Sequence, residues 1–198
     1  MVQSLNLGSA RQPSARVRQR NESRRLDILR AAARVFRRRG LAAAGMREIA
    51  EEAGLSPGNL YHYFSGKDEI LLFCQERTLE RMQAAVDAAR GTAAERLRSV
   101  LRAHVHCMLD ELEGATAHLD VEALPQKLRA PMIEKRDAYE RAVRGIVAEA
   151  MPRGDAALVT RAMLGAANWT ARWYRPDGAQ GPEEIAETLS DYLVKGLA

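Results

Sequence analysis

Asn59, Tyr61, His62 and Lys67 fall within one short stretch, and each carries a group able to touch a phosphate oxygen or a base edge. An amide can donate to and accept from a base edge at once, a lysine meets a phosphate as a point charge, and tyrosine and histidine serve either purpose. That set suits recognition of a nucleic acid. No nucleophile–base arrangement, no paired carboxylates in a glycine-rich setting and no metal motif accompanies it, so an enzyme is not expected.

Two short helical patterns between Arg47 and Lys67 must position these side chains. The first covers about Met46 to Ala53, with Gly45 at its cap and Ile49, Ala50 and Ala53 facing inward. The second covers about Pro57 to Tyr63, with Ser56 as N-cap, Pro57 at the first helical position, and Leu60 and Phe64 as core anchors. Gly54 separates them, which predicts a helix-turn-helix whose second helix enters a DNA major groove. Each residue also has a plainer reading. Ser56 caps a helix whether or not a phosphate sits at that N-terminus, and His62 taken alone is a surface histidine. Lys67, in the first turn of the next helix, opposes the helix dipole, a cost that a phosphate partner would offset.

The charge distribution favours the DNA reading. Residues 1–67 carry twelve arginines and one lysine against five acids, a net +8, while the remainder carries seventeen basic against twenty-one acidic residues, a net −4. The positive field gathers at the end holding the candidate contacts, and a polyanion is its natural partner.

Across the 198 residues, 46% are hydrophobic, 28% charged and only 5% aromatic, with Ala, Leu, Arg and Glu dominant, which favours helix over strand. No apolar run of about 18 residues is present to span a bilayer. The arginine-rich start has no apolar segment behind it, so a secretory signal is not expected and a cytoplasmic protein is. Cys74 and Cys107 lie in helical patterns without metal-ligand spacing and read as buried, reduced thiols.

In chain order, residues 1–20 read as a basic arm (Arg11, Arg16, Arg18, Arg20), either a solvated tail or a segment that rests on DNA. A helix is predicted from Glu22 to Arg39, with Asn21 as its cap, Gly40 as its stop, and Ile28, Leu29, Ala32, Val35 and Phe36 inward. Ser65-Gly66-Lys67-Asp68 reads as a capping box opening a long helix to about Ala89. Further helical segments follow at about Ala93–Glu113, Thr116–Ala123, Gln126–Met151, Asp155–Tyr174 and Pro182–Leu197, giving nine in all. The expected fold is all-α with two domains: a three-helix DNA-binding unit over 21–66, preceded by the arm over 1–20, and a helical domain for ligand binding and dimerisation over 67–198.

The run from Ile28 to Leu72 resembles the DNA-binding domain of the TetR family of bacterial regulators. The marks are Phe36, Gly40-Leu41, Arg47-Glu48-Ile49-Ala50, Ala53-Gly54-Leu55-Ser56, Leu60-Tyr61-His62-Tyr63-Phe64 and Lys67-Asp68-Glu69. The resemblance implies a homodimer that binds a palindromic operator and represses until a small ligand enters the C-terminal domain. By position it gives the roles of DNA contacts to Arg47, Ser56, Gly58, Asn59, Tyr61, His62 and Lys67. Ala44-Gly45 departs from the family's usual Thr or Ser before the second helix, so a hydroxyl contact to phosphate is missing there.

The rest of the chain must supply the dimer interface. In the 155–174 segment Leu158, Ala162, Gly165, Ala166, Trp169 and Trp173 share one helical face, and Val159, Met163, Ala167, Thr170 and Tyr174 a neighbouring one. A helix apolar over so wide an arc is buried on two sides. With Ile185, Leu189, Tyr192 and Leu193 on the last helix, this predicts a four-helix interface across a two-fold axis, formed by the last two helices of each protomer. The segment Asn168–Gly178 followed by Glu183-Glu184-Ile185 resembles a subgroup of the family that regulates fatty-acid, steroid and other lipid catabolism in response to acyl-CoA thioesters.

That resemblance implies an acyl-CoA or similar effector, with no other cofactor expected. Arg172 and Arg175 beside Trp169 and Trp173 could hold a phosphorylated adenine nucleotide, or the tryptophans could simply pack the dimer. Met82, Val86, Val105, Met108, Leu109, Leu112, Tyr139 and Met163 are candidates to line an acyl pocket and equally suit a plain core. His104, His106, His118 and Glu122 invite a metal reading, but spacing fixes no third ligand and none is assigned. Two competing functions remain: an architectural or cell-division factor without a small effector, and an efflux regulator responding to apolar drugs.

Overall fold

The computed structural model describes residues 15–110 and 121–197. Its helices are α1 (Ala15–Arg39), α2 (Met46–Glu52), α3 (Pro57–Tyr61), α4 (Lys67–Ala88), α5 (Ala93–Leu109), α6 (Gln126–Ala150), α7 (Ala156–Trp173) and α8 (Pro182–Lys195), with a 3-10 turn at Val121–Ala123 before α6. The described residues thus hold eight α-helices and one 3-10 turn where nine helices were expected. Of the segment expected over Thr116–Ala123, all but that turn lies outside the described residues, as does the arm up to residue 14.

The first helix departs most from expectation. It begins at Ala15 rather than Glu22, so Asn21 lies inside it and caps nothing. No glycine or proline interrupts residues 15–39, and the Arg, Gln and Ala of the supposed arm are good helix formers that extend α1 backwards. Its C-terminus ends as expected. Gly40 takes φ +77°, its N–H donates to the Phe36 carbonyl at 2.8 Å, and Arg37, Arg38 and Arg39 face the negative end of the helix dipole.

Ile28, Ala32 and Val35 of α1 pack with Ile49, Ala50, Leu60 and Phe64 in one core that fixes α2 and α3. Polar ties reinforce the arrangement. Glu52 accepts from Arg34 Nε at 2.6 Å and from Arg38 at 2.7 Å, and these two guanidinium bonds hold its carboxyl below the usual carboxylate range.

The turn into α4 differs in detail from the expected capping box. Gly66 is the N-cap and has no side chain to accept a bond. Glu69, rather than Asp68, closes the turn, taking bonds from Ser65 N–H at 2.7 Å and Ser65 Oγ at 3.0 Å. The other oxygen of Glu69 faces Arg25 of α1 at 3.6 Å, and the Arg25 guanidinium stacks over Phe64 and Phe73, 4.4 and 4.5 Å from their ring centres. The start of α4 is therefore tied to α1 and to the turn after α3.

In the C-terminal part α5 is central, packed against α4, α6, α7 and α8. Leu97, Val100, Leu101, Val105, Cys107, Met108 and Leu109 bury much of its circumference, as a helix enclosed by neighbours requires. A capping box of Thr92 and Glu95 starts it. Arg102 pairs with Glu183 and Glu187, and His106 Nε2 lies 2.8 Å from Glu183, fixing α8 along its outer side. Cys74 and Cys107 are both buried thiols outside any disulfide. Among the described residues no helix is long and apolar enough to cross a membrane.

Candidate DNA-reading face and effector cavity

On α3 a single side chain turns inward. Leu60 is fully buried, while Ser56, Gly58, Asn59, Tyr61 and His62 are exposed, as is Arg47 on α2. Tyr61 keeps 54% of its surface open, unusual for an aromatic ring with a core one residue away. Ser56 Oγ accepts from Asn59 N–H at 3.3 Å and sets the start of the helix. Gly45, the N-cap of α2, is extended at φ −111° and makes no side-chain bond, so the missing hydroxyl is not replaced.

Lys67 stands apart from this exposed set. Its Nζ donates to the carbonyls of Leu41 at 2.8 Å and Ala42 at 3.1 Å, in the turn between α1 and α2. An ammonium has three N–H groups, so one remains for a phosphate. The cation opposed to the helix dipole is offset by backbone carbonyls of the chain itself, a partner that spacing in the sequence does not reveal.

Beside α3 the structure adds residues the sequence reading did not place there. A cleft of about 480 Å³ is lined by Arg20 and Arg24 of α1 together with Leu55, Asn59, His62 and Tyr63. Once α1 extends back to Ala15, Arg16, Arg20 and Arg24 fall at i, i+4 and i+8, one stripe of a helix. That spacing is visible in the sequence but forms a stripe only when the segment is helical, whereas residues 1–20 were expected to be irregular.

A second cavity, of about 280 Å³, lies between four helices: Leu79 and Met82 come from α4, His104 from α5, Arg136, Tyr139 and Glu140 from α6, and Arg161, Leu164, Gly165 and Asn168 from α7. Leu79, Met82 and Leu164 make it apolar inside, and Arg161 is exposed at its rim, 3.5 Å from Glu140. One wall is polar. Tyr139 Oη is 3.0 Å from His104 Nδ1, and His104 Nε2 is 2.9 Å from Asn168 Oδ1. Burial lowers the His104 pKa to about 4 and pushes the Tyr139 phenol up, so both are neutral at physiological pH.

Of the expected pocket residues, Met82 and Tyr139 line this cavity. Met108 and Met163 are buried in the main core, with Val86 packed at its edge. Val105 and Leu109 form a smaller cluster with Ala167, Ile185 and Ala186. Successive residues on α5 point about 100° apart, so His104 reaches the cavity and Val105 turns away. Leu112 lies outside the described residues. Trp169 and Trp173 are 64% and 45% exposed and do not line it; from α7 Arg161, Leu164, Gly165 and Asn168 do. Arg172 is exposed one turn beyond Asn168, also outside the lining. His104 and His106, raised as metal candidates, are engaged with Tyr139, Asn168 and Glu183; His118 lies outside the described residues.

The outward stripe of α7 matches one of its two expected faces: Leu158, Ala162, Gly165, Trp169 and Trp173 are all exposed. On α8 Ile185 is buried, Leu189 and Leu193 are half-buried, and Tyr192 is 75% exposed.

An exposed helix-turn-helix joined to a helical bundle with its own cavity is the architecture of a DNA-binding regulator. Two family models match the chain: bacterial regulatory proteins, tetR family, over residues 28–73, and tetracyclin repressor-like, C-terminal domain, over residues 90–197. The chain belongs to the TetR family. The HTH-type transcriptional repressor KstR2 of Mycobacterium tuberculosis is 27% identical over 187 residues, spanning 88% of this chain and 93% of that protein. The crystal structure of the TetR family transcriptional regulator PfmR from Thermus thermophilus superposes with a TM-score of 0.78 at 32% identity, covering 86% of this chain and 98% of that one. AibR, solved in complex with isovaleryl coenzyme A and operator DNA, has the same fold, with a TM-score of 0.73 at 23% identity over 88% of this chain and 97% of that one. KstR2 is a ketosteroid transcriptional regulator, in agreement with the resemblance to regulators of lipid and steroid catabolism read from the C-terminal segment.

Proposed function

We propose that the protein is a homodimeric repressor that binds a palindromic operator and is released by a small acyl effector, an acyl-CoA thioester or a related lipid-derived acid. The observation that carries this reading is the cavity between α4, α5, α6 and α7, apolar within, polar on one wall and cationic at the rim. Its volume falls just below the ~300–1,000 Å³ of clefts that hold drug-sized ligands, which favours a short or medium acyl chain over a steroid nucleus. Two arginines, Arg136 and Arg161, against the single carboxylate Glu140 in the lining favour an anionic effector over a cationic drug. An architectural factor without an effector leaves the cavity without a purpose.

Dimerisation follows from the exposed apolar stripe. Leu158, Trp169 and Trp173 on α7, with Tyr192 on α8, form the surface that a second copy would cover about a two-fold axis. Each α3 then reads half a site, and the separation of the two copies sets which operator fits. Helix α4 joins the two ends: Leu79 and Met82 line the cavity, while Lys67 and Glu69 hold the DNA-binding unit. A ligand that displaces α4 would shift that separation. The division at residues 66 and 67 is the working boundary between the two domains, and the cytoplasm is the compartment where such a protein would meet both operator and effector. AibR with isovaleryl coenzyme A and operator DNA, and the repressor KstR2, support this reading by analogy.

The test is fluorescence anisotropy on genomic fragments, with salt and CoA thioesters titrated in turn. Salt-sensitive binding to one palindrome, reversed by a short acyl-CoA or the free acid, is the expected result. Binding indifferent to sequence, or unmoved by every thioester and acid, overturns the proposal.

A further inference from the structure

The polar wall of the effector cavity has a direction built into it. A neutral imidazole carries one N–H and one acceptor nitrogen. Tyr139 keeps its phenolic proton and, at 3.0 Å, donates it to His104 Nδ1, so the imidazole proton sits on Nε2 and is donated to Asn168 Oδ1 at 2.9 Å. With its oxygen engaged in this way, Asn168 is left with two amide N–H groups. They make no hydrogen bond among the described residues; of the residues lining the cavity beside Asn168, Leu79, Met82 and Leu164 offer no side-chain acceptor, and the one carboxylate, Glu140, is paired with Arg161 at 3.5 Å. Asn168 is half-exposed, so these donors are left to water until something enters the cavity that can accept from them in its place.

We propose that the Asn168 amide, oriented by the Tyr139–His104 relay, is the donor that recognises the carbonyl oxygen of the effector's acyl group, while Arg161 at the rim takes the anionic part beyond it. The inference rests on the acyl-effector reading above and names what that site selects. An sp² oxygen accepts from the amide, whereas a methylene at the same position leaves the amide unpaired. Asn168 is the specificity-determining residue; His104 and Tyr139 are positioning residues that act through it. The carbonyl can belong to a thioester or to a free acid, and the two sources are separable by experiment.

Calorimetric titration of the full-length protein would compare hexanoyl-CoA, hexyl-CoA (the thioether with a methylene in place of the carbonyl) and hexanoate. Wild type is expected to prefer hexanoyl-CoA over hexyl-CoA by about tenfold, the scale of one hydrogen bond to an otherwise unpaired group. Asn168→Leu should bring that ratio to about one while leaving hexyl-CoA binding intact. Tyr139→Phe keeps the ring but frees the histidine to change tautomer, so it should lower the ratio by roughly threefold with both ligands still bound. A purely structural role would weaken both ligands alike and leave the ratio alone. Should Asn168→Leu fail to fold, Tyr139→Phe carries the test. Hexanoate binding lost in Asn168→Leu, without binding of either CoA compound, would support the donor and assign the carbonyl to a free acid. Equal binding of thioester and thioether by wild type, or an unchanged ratio in Asn168→Leu or Tyr139→Phe, overturns the inference and leaves the acyl-effector reading standing. If none of the three binds, the acyl-effector reading fails and takes the inference with it.

Discussion

The two ends of the molecule keep their polar side chains in opposite ways. At the DNA-binding end Asn59, Tyr61 and His62 stand on five residues of helix and its cap, exposed, with Leu60 alone turned inward. At the effector end His104, Tyr139 and Asn168 come from three helices, sit buried or half-buried, and are bonded to one another. The difference follows from the ligands. DNA is large and charged and comes to a surface, so a short rigid helix suffices and its polar groups can wait in water. The small effector proposed for the cavity would be enclosed, so the polar groups around it give up most of their water and largely bond to one another.

The largest expected effect tests whether the effector end controls the DNA end. Trp169→Glu places a charge in the exposed stripe of α7, far from any DNA contact. Sedimentation should show monomer in place of dimer, with unchanged helical circular dichroism and operator affinity lower on the order of 100-fold. A monomer that kept full affinity would separate the two ends and refute the half-site picture.

Acid should separate them next. His104 titrates near 4 in the fold against an ordinary value of 6.5. The unfolded chain takes up a proton that the folded one refuses, so the contribution is complete above pH ~6.5 and lost as pH falls towards 4, on the order of 3 kcal/mol in total. At the other end Glu52 is held below its ordinary 4.5, so its contribution is present above that value and lost only at lower pH. Melting temperatures from pH 7.5 to 4.5 should therefore fall through the effector end first. His104→Gln should flatten that decline, and an unchanged decline would exclude the buried histidine as its source.

The smallest effect concerns the cleft beside α3. Arg20→Ala and Arg24→Ala should each lower operator affinity several-fold and reduce the slope of log affinity against log salt by about 1, one phosphate contact apiece. Thermal stability should not move. An unchanged slope would confine DNA contact to α2, α3 and Lys67.

The unequal legibility of the two ends has the same physical origin as their chemistry. Ser56, Pro57, Gly54, Leu60 and Phe64 carry local signals of cap, turn and core, so the helix-turn-helix was readable within about twenty residues. Its error, starting α1 at Glu22, came from treating a charged segment without apolar periodicity as a tail, although an exposed helix needs no apolar face when its residues are good helix formers. The backbone partners of Lys67 were not legible for a different reason: those carbonyls lie 26 and 25 residues earlier in the chain. At the effector end the apolar spacing identified helices, and even the outward stripe of α7, but could not say which buried residues faced a space. Tyr139 was selected as an apolar lining residue, whereas the structure also places its hydroxyl 3.0 Å from His104 Nδ1.

The sequence by itself determined what is local: the helices, the two glycine turns at Gly40 and Gly54, the cap at Ser56, the concentration of charge and the family. Tertiary structure alone decided which groups meet. Tyr139 and Asn168 are 35 and 64 residues from His104, and only the packing of α5, α6 and α7 brings them within hydrogen-bond distance. Periodicity reports which way a side chain points from its own helix; what it points at depends on the other helices, and burial there also sets its protonation.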